Sequence, residues 1–105
     1  MLIGNYFKNI NLKFKNHFFS GLSFDSSKCK KNHIFFAIKG NKFDGNKFIN
    51  DAIKKGAKTV VSNGKYEGIK NNILFIKSLN VRKLLAETSF KVYRKKPKNL
   101  IAVTG

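Results

Sequence analysis

The sequence has one cysteine, one proline, no tryptophan and five carboxylate side chains among its 105 residues. Cys29 alone excludes an intramolecular disulfide and any multi-cysteine metal site. Nothing in the sequence places a base beside Cys29, and its lysine neighbours lower a thiol pKa only modestly, so it is not read as a nucleophile. The carboxylates are Asp25, Asp44, Asp51, Glu67 and Glu87, and no two have the spacing of a general acid/base pair. His17 and His33 lack carboxylate or thiol neighbours at metal-ligand spacing, apart from Cys29, and are read as solvated or half-buried side chains. The residues therefore supply no catalytic centre and no metal site. No apolar run approaches the roughly 20 residues needed to cross a bilayer. The first residues lack the basic-then-apolar order of a signal peptide. Pro-rich linkers, internal repeats and low-complexity segments are absent too.

What is present suits one small folded domain. A chain of 105 residues has room for a single core, burying roughly 60–70% of its unfolded surface. Eleven phenylalanines with no tryptophan leave aromatic packing largely to Phe. The formal charge of +17 has two readings. One is a nucleic-acid-binding module, whose affinity comes from neutralising phosphates. The other is drift toward Lys, Asn, Ile and Phe, whose codons are AT-rich. Drift is favoured because Arg82 and Arg94 are the only guanidiniums, and Arg is the residue suited to bidentate phosphate and base contacts. The lysines are also dispersed along the chain rather than gathered on one element.

Hydrophobic spacing sets out alternating strands and helices. Ile3, Phe7, Ile10 and Phe14 recur at three to four residues, which predicts a weak helix over 1–16. A strand is expected around Gly21–Asp25. Ile34–Ile38 is a continuous apolar run of strand length, as in a strand covered on both faces. A turn-rich Gly40–Gly45 loop follows, with Asp44 a candidate N-cap. Phe48, Ile49, Ala52, Ile53 and Ala57 then share one helical face, with Gly56 near the helix end. Thr59–Ser62 and Ile73–Ile76 read as buried strands, separated by a polar loop over Asn63–Asn72. Val81, Leu84, Leu85, Thr88 and Val92 mark a long helix with Asn80 as N-cap, stopped by Pro97. The expected fold is α/β, a three-layer sandwich of a small, largely parallel sheet flanked by helices.

The chain closes on Leu100-Ile101-Ala102-Val103-Thr104-Gly105, an apolar run entering Thr-Gly as a buried strand enters a phosphate-binding loop. The expectation is a fragment: an accessory domain over residues 1–98, then a linker and the first strand of an ATP-binding domain over 99–105. Two further loops follow strands, where ligands bind in open α/β sheets. Ser23–Lys28 offers Asp25, Ser26 and Ser27 beside backbone N–H donors, which also describes an ordinary Asx or Ser turn. Gly40–Gly45 offers an Asn amide, a Phe ring, a Lys charge and close-approach glycines, which suits a nucleotide as well as a plain strand–helix connection.

Phe24-Asp25-Ser26, then Ile34-Phe35-Phe36-Ala37-Ile38-Lys39-Gly40, then Asp44-Gly45-x-x-Phe48-Ile49-x-x-Ala52-Ile53-x-x-Gly56-Ala57-x-x-Val60-Val61 resemble the N-terminal domain of the Mur ligases. Arg82–Ala86 and Tyr93-x-x-Lys96-Pro97-x-x-Leu100–Gly105 resemble the run into that family's T-G-T-N-G-K-T phosphate loop. The D-G-x-x-F-I element resembles the MurE type, which adds the third amino acid to UDP-MurNAc-dipeptide. The MurF type, which adds the terminal dipeptide, is the alternative. The resemblance implies a cytoplasmic, ATP- and Mg²⁺-dependent ligase of peptidoglycan synthesis. This segment would bind the uridine-diphosphate end of the precursor and carry no catalytic residue or cofactor of its own. Its partners would be UDP-N-acetylmuramoyl-dipeptide and the remaining domains of the enzyme, with no specific nucleic acid and no membrane.

The resemblance puts substrate contacts at Phe24, Ser26, Asn41, Lys42 and Phe43, and makes Gly105 the first glycine of the ATP loop. Three positions depart from the family pattern. Ser27 stands where the family has Arg, Asn32-His33 replaces Gly-Asp, and Asn46 replaces the His of D-G-H. Alternatives outside the family are a basic nucleic-acid-binding α/β module and an α/β interaction domain without a ligand.

Overall fold

The computed structural model of the protein describes residues 1–7, 10, 12–39, 45–64 and 66–94. Expectations for Gly40–Asp44, for the stop at Pro97 and for the run Leu100–Gly105 lie outside those residues. The strands are β1 (Gly21–Ser23), β2 (His33–Phe36), β3 (Thr59–Ser62), β4 (Gly68–Lys70) and β5 (Ile73–Lys77), and the helices are α1 (Ile49–Lys54) and α2 (Val81–Arg94). The sheet order is β1-β2-β3-β5-β4. β1, β2, β3 and β5 run parallel, and β4 is an antiparallel edge strand. The fold is thus an α/β sandwich built on a mostly parallel sheet.

Apolar runs rather than alternation build the central strands, because both faces are covered. Ile34, Phe35 and Phe36 of β2 and Val60 and Val61 of β3 are all fully buried. Ile34, Phe36, Val61, Leu74 and Ile76 face one layer, formed by the N-terminal segment (Ile3, Tyr6, Phe7, Phe19) and α2 (Val81, Val92). Phe35, Val60 and Ile73 face the other, formed around Cys29, Ala52 and Ala57. The period-two side-chain alternation of each strand therefore feeds two separate apolar layers. Phe19 packs edge-to-face with Tyr6, ring centroids 5.3 Å apart.

Two expectations are corrected. The described residues of the segment over 1–16 form two short 3-10 turns, Ile3–Asn5 and Leu12–Phe14, in place of the expected helix. Its backbone is engaged from outside: Ile3 N–H donates to the His17 carbonyl, Gly4 N–H to that of Lys15, and Phe19 N–H to that of Met1. The Met1 carbonyl is thereby taken, and the Asn5 N–H, which an α-helix would direct to it, donates instead to the Leu2 carbonyl at 3.1 Å. The polar stretch Asn63–Asn72 contains β4. Asn71 (φ 54°) and Asn72 (φ 67°) make the two-residue turn joining β4 to β5. Asparagine tolerates that left-handed conformation, which type I′ hairpin turns require at both positions. By contrast, α2 begins as expected: Asn80 Oδ1 accepts from the Lys83 N–H at 3.0 Å.

Among the described residues, two buried side-chain polar atoms have no hydrogen-bond partner, Thr59 Oγ1 and His33 Nδ1. Thr59 is fully buried, so its hydroxyl is desolvated without compensation. Thr59→Val keeps the shape and removes the orphan. It should stabilise the protein by about 1 kcal/mol, read as a rise of several degrees in Tm; an unchanged or lower Tm would show the hydroxyl is satisfied in solution.

Burial holds the His33 imidazole below its usual value of 6.5, and the Lys30 ammonium pushes it the same way. The folded state thus binds a proton less readily than the unfolded chain. This contribution to stability is complete above pH 6.5 and is lost as pH falls through the folded pKa. Chemical denaturation across that range should show stability falling with acid, and His33→Gln should flatten the slope.

Candidate functional site at the carboxyl ends of the strands

Because β1, β2, β3 and β5 are parallel, their carboxyl ends (Ser23, Phe36, Ser62 and Lys77) lie along one edge of the sheet. Ligands of open α/β sheets bind outside that edge. There β1, β3 and β5 run into turns held by short polar side chains.

After β1, Ser23 Oγ donates to the Asp25 carbonyl at 2.8 Å. Asp25 Oδ1 accepts from the Ser27 N–H at 2.9 Å and from Ser27 Oγ at 2.7 Å. This makes Asp25 the N-cap of the 3-10 turn Ser26–Lys28. The two Ser27 bonds, the hydroxyl's first, hold the Asp25 carboxyl below its usual value of 3.8. The turn is thus an Asx turn, and its geometry is compatible with a ligand role for its neighbours. Phe24 projects from it, 59% exposed, whereas Ser26 is buried at 6%. Ser27 is used locally, closing the turn onto Asp25.

After β2, Ala37 N–H donates to the Val61 carbonyl and Gly45 N–H to the Ile38 carbonyl, both at 2.8 Å. Gly45 lies so close to that strand end that a Cβ on it would stand 2.7 Å from the Ile38 nitrogen. Only glycine allows the chain to re-enter the fold there. The 3-10 turn Gly45–Phe48 then leads into α1. Asn41, Lys42 and Phe43, the residues expected to meet a nucleotide, belong to the segment between these anchors and lie outside the described residues, as does Gly105.

Sequence reasoning missed the contribution of β3. Asn46 Nδ2 donates to Asn63 Oδ1 at 3.4 Å, joining the turn before α1 to the end of β3. Ser62 Oγ accepts from the Gly64 N–H at 3.3 Å, and the Ser62 carbonyl from the Ser78 N–H at 2.8 Å. A Ser-Asn-Gly sequence directly after a buried strand was the available signal, hidden inside a stretch read as an ordinary polar loop. The N-terminus of α2 reaches the same edge through Ser78 Oγ, which accepts from the Asn80 N–H.

Other candidates carry less chemistry. Burial pushes the Cys29 thiol up, against a nucleophilic role. Among the described residues no group of three or more His, Cys, Asp or Glu could hold a metal. No helix among them is long and apolar enough to cross a membrane. A cleft of about 1100 Å³ lies away from Phe24, between the N-terminal segment, β5 and α2, lined by Phe7, Phe75, Leu84, Glu87 and Phe90.

The Asp25 carboxylate should titrate below its usual 3.8, so the support it gives the turn is complete above 3.8 and is lost as pH falls through the lowered folded pKa. Asp25→Ala should speed amide exchange at Ser27, whereas Asp25→Asn, which keeps an acceptor oxygen, should not. Equal exchange in both variants would show that the turn holds without this cap.

Comparisons with known proteins agree with the topology. Residues 18–93 match the model of the Mur ligase family, catalytic domain. The chain is 45% identical over 97 residues to the UDP-N-acetylmuramoyl-L-alanyl-D-glutamate–2,6-diaminopimelate ligase of Rickettsia prowazekii, covering 92% of this chain and 20% of that protein. It is 43% identical over 102 residues to the ligase of the same name from Clostridium tetani, with the same coverages. The chain thus spans about a fifth of the length of these relatives. Among solved structures, the MurF ligase of Thermotoga maritima in complex with ADP superposes with a TM-score of 0.55 at 24% identity, covering 67% of this chain and 16% of that one. A D-alanyl-D-alanyl-adding ligase from Acinetobacter baumannii gives 0.56 at 20% identity, covering 66% and 15%. These structural likenesses bear on the fold, and the family match extends over most of the chain: the protein belongs to the Mur ligase family.

Proposed function

We propose that this chain is the N-terminal substrate-binding domain of a MurE-type ligase, holding the uridine-diphosphate end of UDP-MurNAc-dipeptide at the strand-end rim. The observation that carries the reading is the pair of anchored turns at the carboxyl edge, one presenting Phe24 beside Ser26 and the other flanking Asn41–Phe43. The ring of Phe24, 59% exposed beside a capped turn, is free to stack on a base without being part of the core. Backbone N–H groups and the Ser26 hydroxyl would serve the polar groups, and Lys42 would act as a point charge toward phosphate. The MurE assignment over the MurF one rests on sequence likeness, 43–45% against 20–24%.

In the whole enzyme ATP and Mg²⁺ would convert a substrate carboxylate to an acyl phosphate, which an incoming amine would attack to form the amide. Residues 1–98 would take no part in those bonds, and 99–105, with Gly105, would open the ATP-binding domain. The chain's share is remote binding energy, which orients the reacting end of the substrate. Such an enzyme would work in the cytoplasm, where nucleotide-linked precursors and ATP are available.

Titration with UDP and with UDP-MurNAc-dipeptide, followed by amide chemical shifts, should perturb Phe24–Ser27 and Asn41–Gly45. Affinity in the isolated chain should be about millimolar, near −4 kcal/mol. Phe24→Ala should weaken binding with Tm unchanged, since its ring is outside the core. Ser26→Ala should weaken it by about 1 kcal/mol if the hydroxyl bonds the ligand. Shifts confined to the cleft by Phe7 and Phe90 would overturn the placement.

A further inference from the structure

The lysines dispersed in the sequence are partly gathered by the fold. Lys30 and Lys31 precede β2, Lys54 and Lys55 end α1, and Lys58 precedes β3, so these segments lie toward the amino-terminal edge of the parallel sheet, with the Lys55 charge still reaching Asp25. Backbone contacts bind these segments together. Asn32 N–H donates to the Gly56 carbonyl at 2.8 Å, and Lys58 N–H to the His33 carbonyl at 3.2 Å. A Cβ on Gly56, whose φ is +120°, would stand 2.6 Å from Lys31 Cα. His17 Nε2 meets the Lys58 carbonyl at 3.1 Å, which brings in the neighbouring Lys15. All six lysine side chains are exposed. The ion pair from Lys55 to Asp51, 3.7 Å long and on the surface, neutralises little of the patch. Beside it lie two exposed apolar side chains, Leu2 at 36% and Phe18 at 50%, which are bridged to each other across the N-terminal segment.

We propose that this lysine edge, with Leu2 and Phe18, is a docking surface for an anionic lipid bilayer. Ammonium groups on flexible stems match a diffuse sheet of lipid phosphates without needing fixed geometry. An aliphatic and an aromatic side chain at the margin suit the headgroup–acyl boundary, where apolar groups gain burial. The patch is built of lysine ammoniums, Arg82 at the start of α2 lies toward the other edge, and the aliphatic Leu2 suits acyl chains rather than bases, which favours a bilayer over nucleic acid. The surface needs no spanning segment, so it revises the expectation of no membrane partner to attachment at a bilayer surface. It also stands independently of the nucleotide reading, since it uses the opposite edge of the sheet.

Vesicle co-sedimentation at about 0.15 M salt tests the proposal, using phosphatidylcholine vesicles with and without phosphatidylglycerol. The chain should bind only the vesicles containing phosphatidylglycerol. Removing Lys30, Lys31, Lys54 and Lys58 together by Lys→Gln should cost roughly fivefold in partitioning per lysine. A charge-matched variant with Lys47, Lys70, Lys77 and Lys83 changed to Gln should keep most of the binding. Phe18→Ser, a single exposed change, should weaken binding with UDP titration unaltered, and it keeps the test open if the quadruple variant folds poorly. Equal losses in the two quadruple variants would overturn the proposal in favour of diffuse charge. So would absence of binding to phosphatidylglycerol at this salt, or tighter binding to a single-stranded RNA that the first quadruple variant abolishes.

Discussion

The burial of β2 and β3 on both faces is the constraint from which the rest of the architecture follows. Ile34, Phe35, Phe36, Val60 and Val61 leave no face of those strands for water. A strand of that kind is stable only between two layers, so the sheet must be covered above and below. The alternation of side chains then sorts the chain: Phe35 and Val60 call for one cover, Phe36 and Val61 for the other. α2 and the N-terminal segment supply one, and α1 with the Cys29 region supplies the other. Parallel pairing requires each connection to return across the sheet. That return places the start of every parallel strand on one edge and the end of every one on the other. The sheet therefore has two chemically different edges before any functional residue is considered.

At the carboxyl edge, local polar chemistry converts strand ends into defined turns. Asp25 caps one turn through Ser27, and Gly45 closes against Ile38 with no room for a Cβ. Asn46 reaches Asn63, and Asn80 caps α2. These fixtures are short side chains bonded to nearby backbone, which hold loops in place at little cost in side-chain entropy. Ser27 fits that pattern, since it turns back on Asp25 through both its N–H and its hydroxyl and tightens the loop itself.

The parts of the fold legible in the sequence were those encoded by uninterrupted apolar runs or by a cap. β2, β3 and β5 showed as Ile34–Phe36, Thr59–Ser62 and Ile73–Ile76, and α2 showed through its periodicity with Asn80 before it. What was illegible depended on pairing with distant backbone. Ile3, Phe7, Ile10 and Phe14 have helical spacing, but the spacing reports only that these side chains face the core. Bonds to residues 15–19 decided the backbone instead. β4 carries Gly68, Ile69 and Lys70 at an edge, where one strand neighbour and open solvent impose no apolar pattern. Its one local signal was Asn71-Asn72, two residues tolerant of positive φ at hairpin length. In the candidate site, Phe24 and Ser26 could be placed by their position after a strand, but Ser62 and Asn63 could not. Their relevance arises only when β3 is known to end beside β2.

The same edge polarity changes the meaning of the charge. Read linearly, lysines from Lys15 to Lys58 look evenly scattered, and codon drift explains them without any partner. Folding brings six of them toward one edge because they sit in the segments that precede parallel strands, at exposed positions that tolerate long charged side chains. Drift can account for the number of lysines, but their placement follows from the topology. The nucleotide reading concerns the turns at the carboxyl edge, the Phe24 ring and Lys42, and calls on none of these six. An accumulation of like charge destabilises a compact state through self-repulsion. A surface of opposite sign would relieve that repulsion, and the exposed Leu2 and Phe18 beside it make an anionic bilayer the better match among such surfaces.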